Sequence, residues 1–293
     1  MNAKTALFAL ALAASFPAAS LAAEGPPPPT TTARASAPID LTGQWVSVVT
    51  EDWRWRMVTP PKGDYASLPL NVAGRAAADA WNLAADNAAG PAAQCRAFGV
   101  GGITRIPGRM RIAWADDATL RVEYDAGQQT RTLRFINQRP TPLLLALSQR
   151  TPPQGDRTLQ GETRAQWFKQ PQFRGNNLLT PSEGGALQTF TLNHTGGYLR
   201  KNGVPYSPDA LVTERWHVFK GMQNDEWLVI TTIVEDPRYL NMPFLTSTTF
   251  KKETDTSKWS PQPCRTAEPL AKPVAPRPAA GAPAPAAPAA PRS

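Results

Sequence analysis

Apolar and polar side chains alternate along three short runs between residues 110 and 135. Residues 110–114 and 120–124 flank a polar turn at Ala115-Asp116-Asp117-Ala118, and Asp125-Ala126-Gly127 turns the chain into residues 130–135. Alternation of period two places one set of side chains on each face of a strand. The pattern returns over residues 211–219, crosses the polar stretch 220–225, resumes over 227–234, and ends in 246–251. Short polar turns between such runs predict an antiparallel meander. An earlier run, Leu41 to Val49, carries Gly43 and Trp45: glycine lets backbone enter a tight corner, and a large indole plugs the narrow end of a barrel.

One segment breaks the period. Residues 71–87 are Ala-rich, contain Trp81 and lead into Asp86-Asn87-Ala88-Ala89-Gly90, which predicts a helix with a glycine stop over a barrel edge or mouth. Residues 151–185 are rich in Pro, Gly and Gln, with a short strand expected at Trp167-Phe168.

The ends set the compartment. Lys4, the apolar residues 6–14 and the small residues Ser20-Leu21-Ala22-Ala23 read as a signal peptide over residues 1–23. Residues 24–38 form a Pro/Thr-rich linker, residues 39–265 one β domain, and residues 266–293 a disordered Ala/Pro-rich tail in which proline prevents a helix. The protein is therefore expected in the periplasm or secreted. Cys95 and Cys264, the chain's two cysteines, are expected to form a disulfide in an oxidising compartment, the alternative being two separate thiols.

The net charge of +8 suits acidic ligands or an anionic envelope surface, and contact with such a surface through the tail is one expected partnership. Dense basic runs with repeated stacking residues are missing, so no nucleic-acid partner is expected. His194 and His217 are the two histidines, without a metal-ligand spacing, and there is neither a Gly-x-Ser-x-Gly elbow nor a P-loop. No metal and no cofactor are expected. Gly99-Val100-Gly101-Gly102 lacks dinucleotide-binding spacing and reads as a loop.

Three stretches carry candidate chemistry. In Glu51-Asp52-Trp53-Arg54-Trp55-Arg56-Met57, a continued strand would put Trp53, Trp55 and Met57 on one face and Asp52, Arg54 and Arg56 on the other. The tryptophans could stack on a flat ligand while arginine clamps its carboxylate or phosphate; the same alternation also fits a core face opposite a solvated basic face. From His194 to Tyr206, two glycine turns and Pro205 place Tyr198, Arg200, Lys201 and Tyr206 on a structured loop that either binds ligand or connects elements. Glu235-Asp236-Pro237-Arg238 ends a strand in two carboxylates, either an acid/base site or a turn in which Asp236 caps backbone and Arg238 pairs with Glu235. Glu214 shares its face with Val212, Trp216 and Val218, so it must be paired or line a polar cavity; His217 falls on the opposite, polar face.

Leu41-Thr42-Gly43-Gln44-Trp45, Arg54-Trp55-Arg56, Val212-Thr213-Glu214-Arg215-Trp216, Ile233-Val234-Glu235-Asp236-Pro237, Tyr239 and Pro243-Phe244 together resemble uncharacterised exported bacterial proteins of lipocalin-like fold. The resemblance touches about a third of the chain and implies an all-β, antiparallel barrel. It also implies a basic side chain across the Gly-x-Trp tryptophan, at Lys251 or Lys252 where arginine is commoner. The expected function is a small-molecule binding module. An apolar, aromatic cavity including Trp216 would hold an amphipathic or aromatic ligand, with Arg54, Arg56 or Arg200 on its acidic group. Two alternatives stand beside it: a cofactor-independent hydrolase, hydratase or isomerase using Glu214, Glu235 or Asp236 as acid or base, and an envelope-associated interaction protein.

Overall fold

Rows of apolar side chains from successive strands need a common interior, and closing the sheet supplies it without leaving edges. A computed structural model describes residues 31–136, 155–168, 172–174, 177–179 and 184–270. Its strands are β1 (Gly43–Val48), β2 (Arg109–Asp116), β3 (Thr119–Tyr124), β4 (Gln129–Phe135), β5 (Glu162–Phe168), β6 (Gln172–Arg174), β7 (Asn177–Leu179) and β8 (Ala186–Leu192). They continue with β9 (Gly197–Arg200), β10 (Val204–Tyr206), β11 (Leu211–Lys220), β12 (Glu226–Glu235) and β13 (Phe244–Glu253). Nine of them close a barrel in the order β1-β13-β12-β11-β8-β5-β4-β3-β2, while β6–β7 and β9–β10 are separate two-stranded ribbons.

The two expected meanders, β2-β3-β4 and β11-β12-β13, are present, although the turn expected at 115–118 is reduced to Asp117-Ala118 because β2 runs on through Asp116. Purely antiparallel pairing is not. Strands β4 and β5 run parallel, with Leu133 opposite Thr163 and Phe135 opposite Ala165, so the sheet is mixed. A hairpin can only join antiparallel neighbours, whereas parallel ones need a longer connection, and residues 136–161 separate β4 from β5.

Gly43 has φ +114°, a backbone conformation that suits glycine, and Trp45 beyond it is fully buried with its indole N–H donated to the Leu41 carbonyl at 2.9 Å. Lys252 lies over that indole, Nζ 5.4 Å from the ring centroid. Inward side chains of Met110, Ile112, Leu120, Leu133, Leu187, Trp216, Leu228, Ile230 and Phe250 join Trp45 in one buried cluster. Tryptophan, leucine and phenylalanine from facing strands thus occupy this part of the interior, where an oily cavity was expected.

One barrel end is roofed. Val212, Val234 and Phe244 stand in register at the rim and pack with Tyr65, Leu68, Leu70, Ala78, Leu199, Val204 and Tyr206 in a second buried cluster. The expected helix over residues 71–87 is two helices, α2 (Val72–Ala80) and α3 (Leu83–Ala88). Trp81 turns extended, and Asn82 starts α3 anew by accepting the Ala85 N–H with its side chain at 3.1 Å. A further helical turn, α4 (Pro91–Gln94), ends at Cys95, which is bonded to Cys264 as expected. Across a sequence separation of 169, chain-entropy models put such a closure at about 5 kcal/mol.

The expected linker docks in part: Ala33 is buried and its carbonyl accepts the Trp167 indole N–H at 2.7 Å. At the other terminus the Leu270 N–H donates to the Thr59 carbonyl at 3.1 Å. Residues 1–30 and 271–293 lie outside the described residues, and with them the expected signal peptide, the first part of the linker and most of the tail. No helix among the described residues is long and apolar enough to cross a membrane.

Candidate functional site

The stretch after β1 does not continue as a strand. Asp52 takes a left-handed φ of 53°, and Trp53–Arg56 form a single helical turn, α1. Residues Trp53 and Met57 therefore point out to solvent, while Arg56 is buried. The physical cause is tertiary: Asp52 is held at 3.0 Å by Nη1 of Arg105, a buried residue of the 3-10 helix Ile103–Arg105, which fixes the chain in the turn. That short helix follows the glycine run. A side chain at Gly102 would collide with the Tyr198 and Ala97 carbonyls at 2.6 and 2.8 Å, so glycine there permits the close backbone approach.

Expected as a loop, residues 197–206 form the β9–β10 hairpin, whose turn locks onto α1 and the chain after it. Lys201 Nζ donates to the Arg56 carbonyl at 2.9 Å, and the buried Asn202 amide donates to the Pro61 and Asp64 carbonyls at 3.1 Å each. Burial pulls the Lys201 ammonium down to about 8. Preceding this turn, Arg200 is brought against α1 with its guanidinium 4.2 Å from the Trp55 ring centroid.

Three buried guanidinium groups gather where the roof meets the barrel rim. Arg56 Nε donates to the Arg105 carbonyl at 3.1 Å and its Nη1 pairs with Glu51. Nη1 of Arg105 also donates to Thr246, an inward residue of β13. Arg200 makes no ion pair among the described residues, and its Nε and Nη1 have no hydrogen-bond partner there; Arg56 Nη2 and Arg105 Nη2 are likewise unpartnered. Burial, with the neighbouring Arg105 charge, lowers Arg200 to about 10. It therefore stays charged at neutral pH. Burial and the Arg105 charge also lower Arg56, against the pull of Glu51 and Asp52. Arg54 closes the outer side: it stacks on Trp55 at 4.9 Å and pairs with Asp64 at 2.7 Å, the same carboxylate that accepts the Trp55 indole N–H at 3.2 Å.

A different solution occupies the barrel interior. Arg131 on β4 meets Glu214 on β11 in a two-pronged pair, Nη1 to Oε1 at 3.0 Å and Nη2 to Oε2 at 2.7 Å, with both side chains fully buried. Thr189 donates to Glu214 at 3.0 Å, and Thr232 and Thr246 continue the same polar level around the wall. Burial alone would lower the Arg131 pKa, but the facing Glu214 carboxylate outweighs it and raises the group above its ordinary range. The partner that Glu214 requires on its apolar face is thus present.

The remaining expected residues disperse. Trp216 is a core side chain. Tyr206 is buried against the Gly101 N–H at 3.2 Å, and Tyr198 donates to Asp86 at 2.8 Å. Asp236 accepts from the Ser207 N–H and hydroxyl at 2.6 and 2.8 Å and from the Arg238 N–H at 3.0 Å, the backbone cap of the turn reading. Arg238 stacks on Tyr239 instead of pairing with Glu235, which borders a shallow cleft with Asp236 and Asn71. Glu214 lies in the barrel interior, away from the cleft that Glu235 and Asp236 border, and both its oxygens are engaged. His194 is buried, with Nε2 donating to the Ala210 carbonyl at 2.8 Å and Nδ1 accepting from the Gly196 N–H at 3.1 Å; His217 faces outward.

The structure therefore joins Arg54, Trp55, Arg56, Arg200 and Lys201 from two separate stretches and adds Arg105, Asp52, Glu51 and Thr246. Arg105 carries no local signal, since a lone arginine after a glycine-rich run reads as exposed. No family model, curated protein or solved structure matches the chain.

Proposed function

We propose that the protein is an exported binding module for a small acidic ligand, held at the roofed end of the barrel by Arg200, Arg56 and Arg105. The observation that carries this reading is Arg200: a guanidinium 4 % exposed, stacked on an indole, with unpartnered N–H groups and no carboxylate paired with it among the described residues, Asp52 and Asp64 nearby being bonded to Arg105 and Arg54. A buried ion costs several kcal/mol, whereas a cation–π contact returns about 0.5–2 kcal/mol. The balance is unfavourable until an anion joins. Carboxylate or phosphate oxygens match the planar donor fork of arginine, and three such forks in one place favour either group.

The disulfide supports an oxidising compartment, periplasmic or extracellular. A lipocalin-like relationship belongs to the same proposal. Gly43, the buried Trp45 and Lys252 across it support that relationship, while the parallel β4–β5 pair departs from an all-antiparallel barrel. Relative to a simple cup, the binding place moves from the barrel's centre to its rim.

Calorimetric titration with inorganic phosphate and with small carboxylates tests the reading. The wild-type protein should bind one of these classes, and Arg200→Gln should weaken that binding by about tenfold or more, the loss expected for a charged hydrogen-bond partner. Silence of the wild type towards both classes, or equal binding by Arg200→Gln, would remove the proposal.

A further inference from the structure

Exposed large apolar side chains on soluble proteins are usually scattered. Here most gather at the roofed end. Trp53 and Met57, 67 % and 56 % exposed, stand on α1 and at its C-terminus. Val72 opens α2, whose N-cap Asn71 bonds to the Tyr239 carbonyl, and Met242 follows Asn241, which bonds to the Pro69 carbonyl. Leu245 is the second residue of β13, beside Thr246, and Leu270 bonds to Thr59. These six belong to one end of the molecule; Phe168, Phe219 and Met222 are exposed elsewhere.

The same end carries cations. Arg54, with 59 % of its side chain exposed and one nitrogen paired with Asp64, sits between Trp53 and Trp55 in sequence and stacks on the ring that also carries Arg200. Lys62 is exposed nearby, on the loop held by Asn202. Indole and thioether side chains beside basic ones suit the boundary between lipid headgroups and acyl chains. Each basic residue at an anionic bilayer surface gains about 1 kcal/mol.

We propose that the roofed end docks on an anionic membrane, with Trp53 and Met57 in the interface and a lipid headgroup phosphate as the anion near Arg54 and Arg200. This inference rests on the anion-site reading above and commits it to one source of anion. A soluble ligand and a second copy of this chain are the competing occupants.

The test is sedimentation of the purified protein with phosphatidylcholine vesicles and with vesicles enriched in phosphatidylglycerol, alongside calorimetry with inorganic phosphate and a measurement of oligomeric state. Partition should favour the anionic vesicles by about tenfold or more, two basic residues' worth. Trp53→Ala/Met57→Ala should lose most of that partition yet bind phosphate unchanged, since both side chains are turned to solvent while Arg200 is buried; Arg200→Gln should weaken both. Equal partition to the two vesicle types would overturn the docking inference, as would partition untouched by the double variant. Phosphate binding that survives such a result leaves the anion site standing with a soluble ligand, whereas its absence in the wild type removes the site itself. If the double variant merely converts a dimer to a monomer without changing partition, the apolar face is a self-interface and membrane docking is wrong.

Discussion

Arg131 and Arg200 are both buried, yet they meet opposite conditions. Arg131 lies in the barrel wall with a two-pronged carboxylate partner and a threonine shell, so its charge is answered by the fold. Arg200 lies on the roof hairpin against an indole face and other cations, and the nearby Asp52 and Asp64 carboxylates are bonded to Arg105 and Arg54, so no carboxylate pairs with it. The first geometry belongs to a structural pair and the second to a site that waits for an anion. Burial alone distinguishes nothing; the partner does.

Substitutions can sharpen or break this contrast. Arg131→Met should have the largest effect, a loss of about 3–5 kcal/mol, because Glu214 would be left as an unpaired buried carboxylate. Chemical denaturation measures it, and a neutral outcome would mean the pair contributes nothing that packing cannot replace. Cys264→Ser should cost about 2–5 kcal/mol by freeing the chain after β13, while leaving anion affinity at Arg200 unchanged. Loss of affinity in that variant would show that the two regions are not independent. Thr189→Val should cost about 1–2 kcal/mol through the lost donor to Glu214, again without touching the anion site.

The smallest effect concerns pH. His194 is held neutral, its pKa lowered chiefly by burial, and protonation would create a second cation without a carboxylate partner in the roof. The unfolded chain binds that proton near pH 6.5, before the folded protein does. Stability from this group is therefore complete above about pH 6.5 and falls as the pH drops below it. Urea titrations at stepped acid pH should show the decline, and His194→Asn should flatten it. An identical slope in wild type and variant would assign the acid sensitivity to other groups.

Much of the wall was legible in the sequence because alternation is a local property. Residues 110–135 and 211–251 read correctly as strands, and Glu214 was conspicuous enough among Val212, Trp216 and Val218 to demand a partner. That partner could have been sought on the same grounds: Arg131 has the same parity as Leu133 and Phe135, so a strand would turn it inward. Direction across β4 and β5 was not legible, since pairing sense depends on the path of the connection. Nor was α1. Over five residues, Trp53 to Met57 satisfies period two and a helical turn equally well, and the distant Asp52–Arg105 contact decides between them. The candidate site was half legible for the same reason. Its arginines were visible one stretch at a time, but their meeting depends on the hairpin turn locking onto α1.

The most direct measurement is the unfolding free energy of Arg200→Met against wild type, with and without a saturating anionic ligand. Removing a buried charge that the fold does not answer should stabilise the ligand-free protein by about 1 kcal/mol, a relief partly offset by the lost stacking on Trp55. Ligand should then raise the stability of wild type and leave the variant unmoved. If Arg200→Met instead falls by several kcal/mol, as Arg131→Met is expected to, Arg200 is a structural residue and the anion site does not exist.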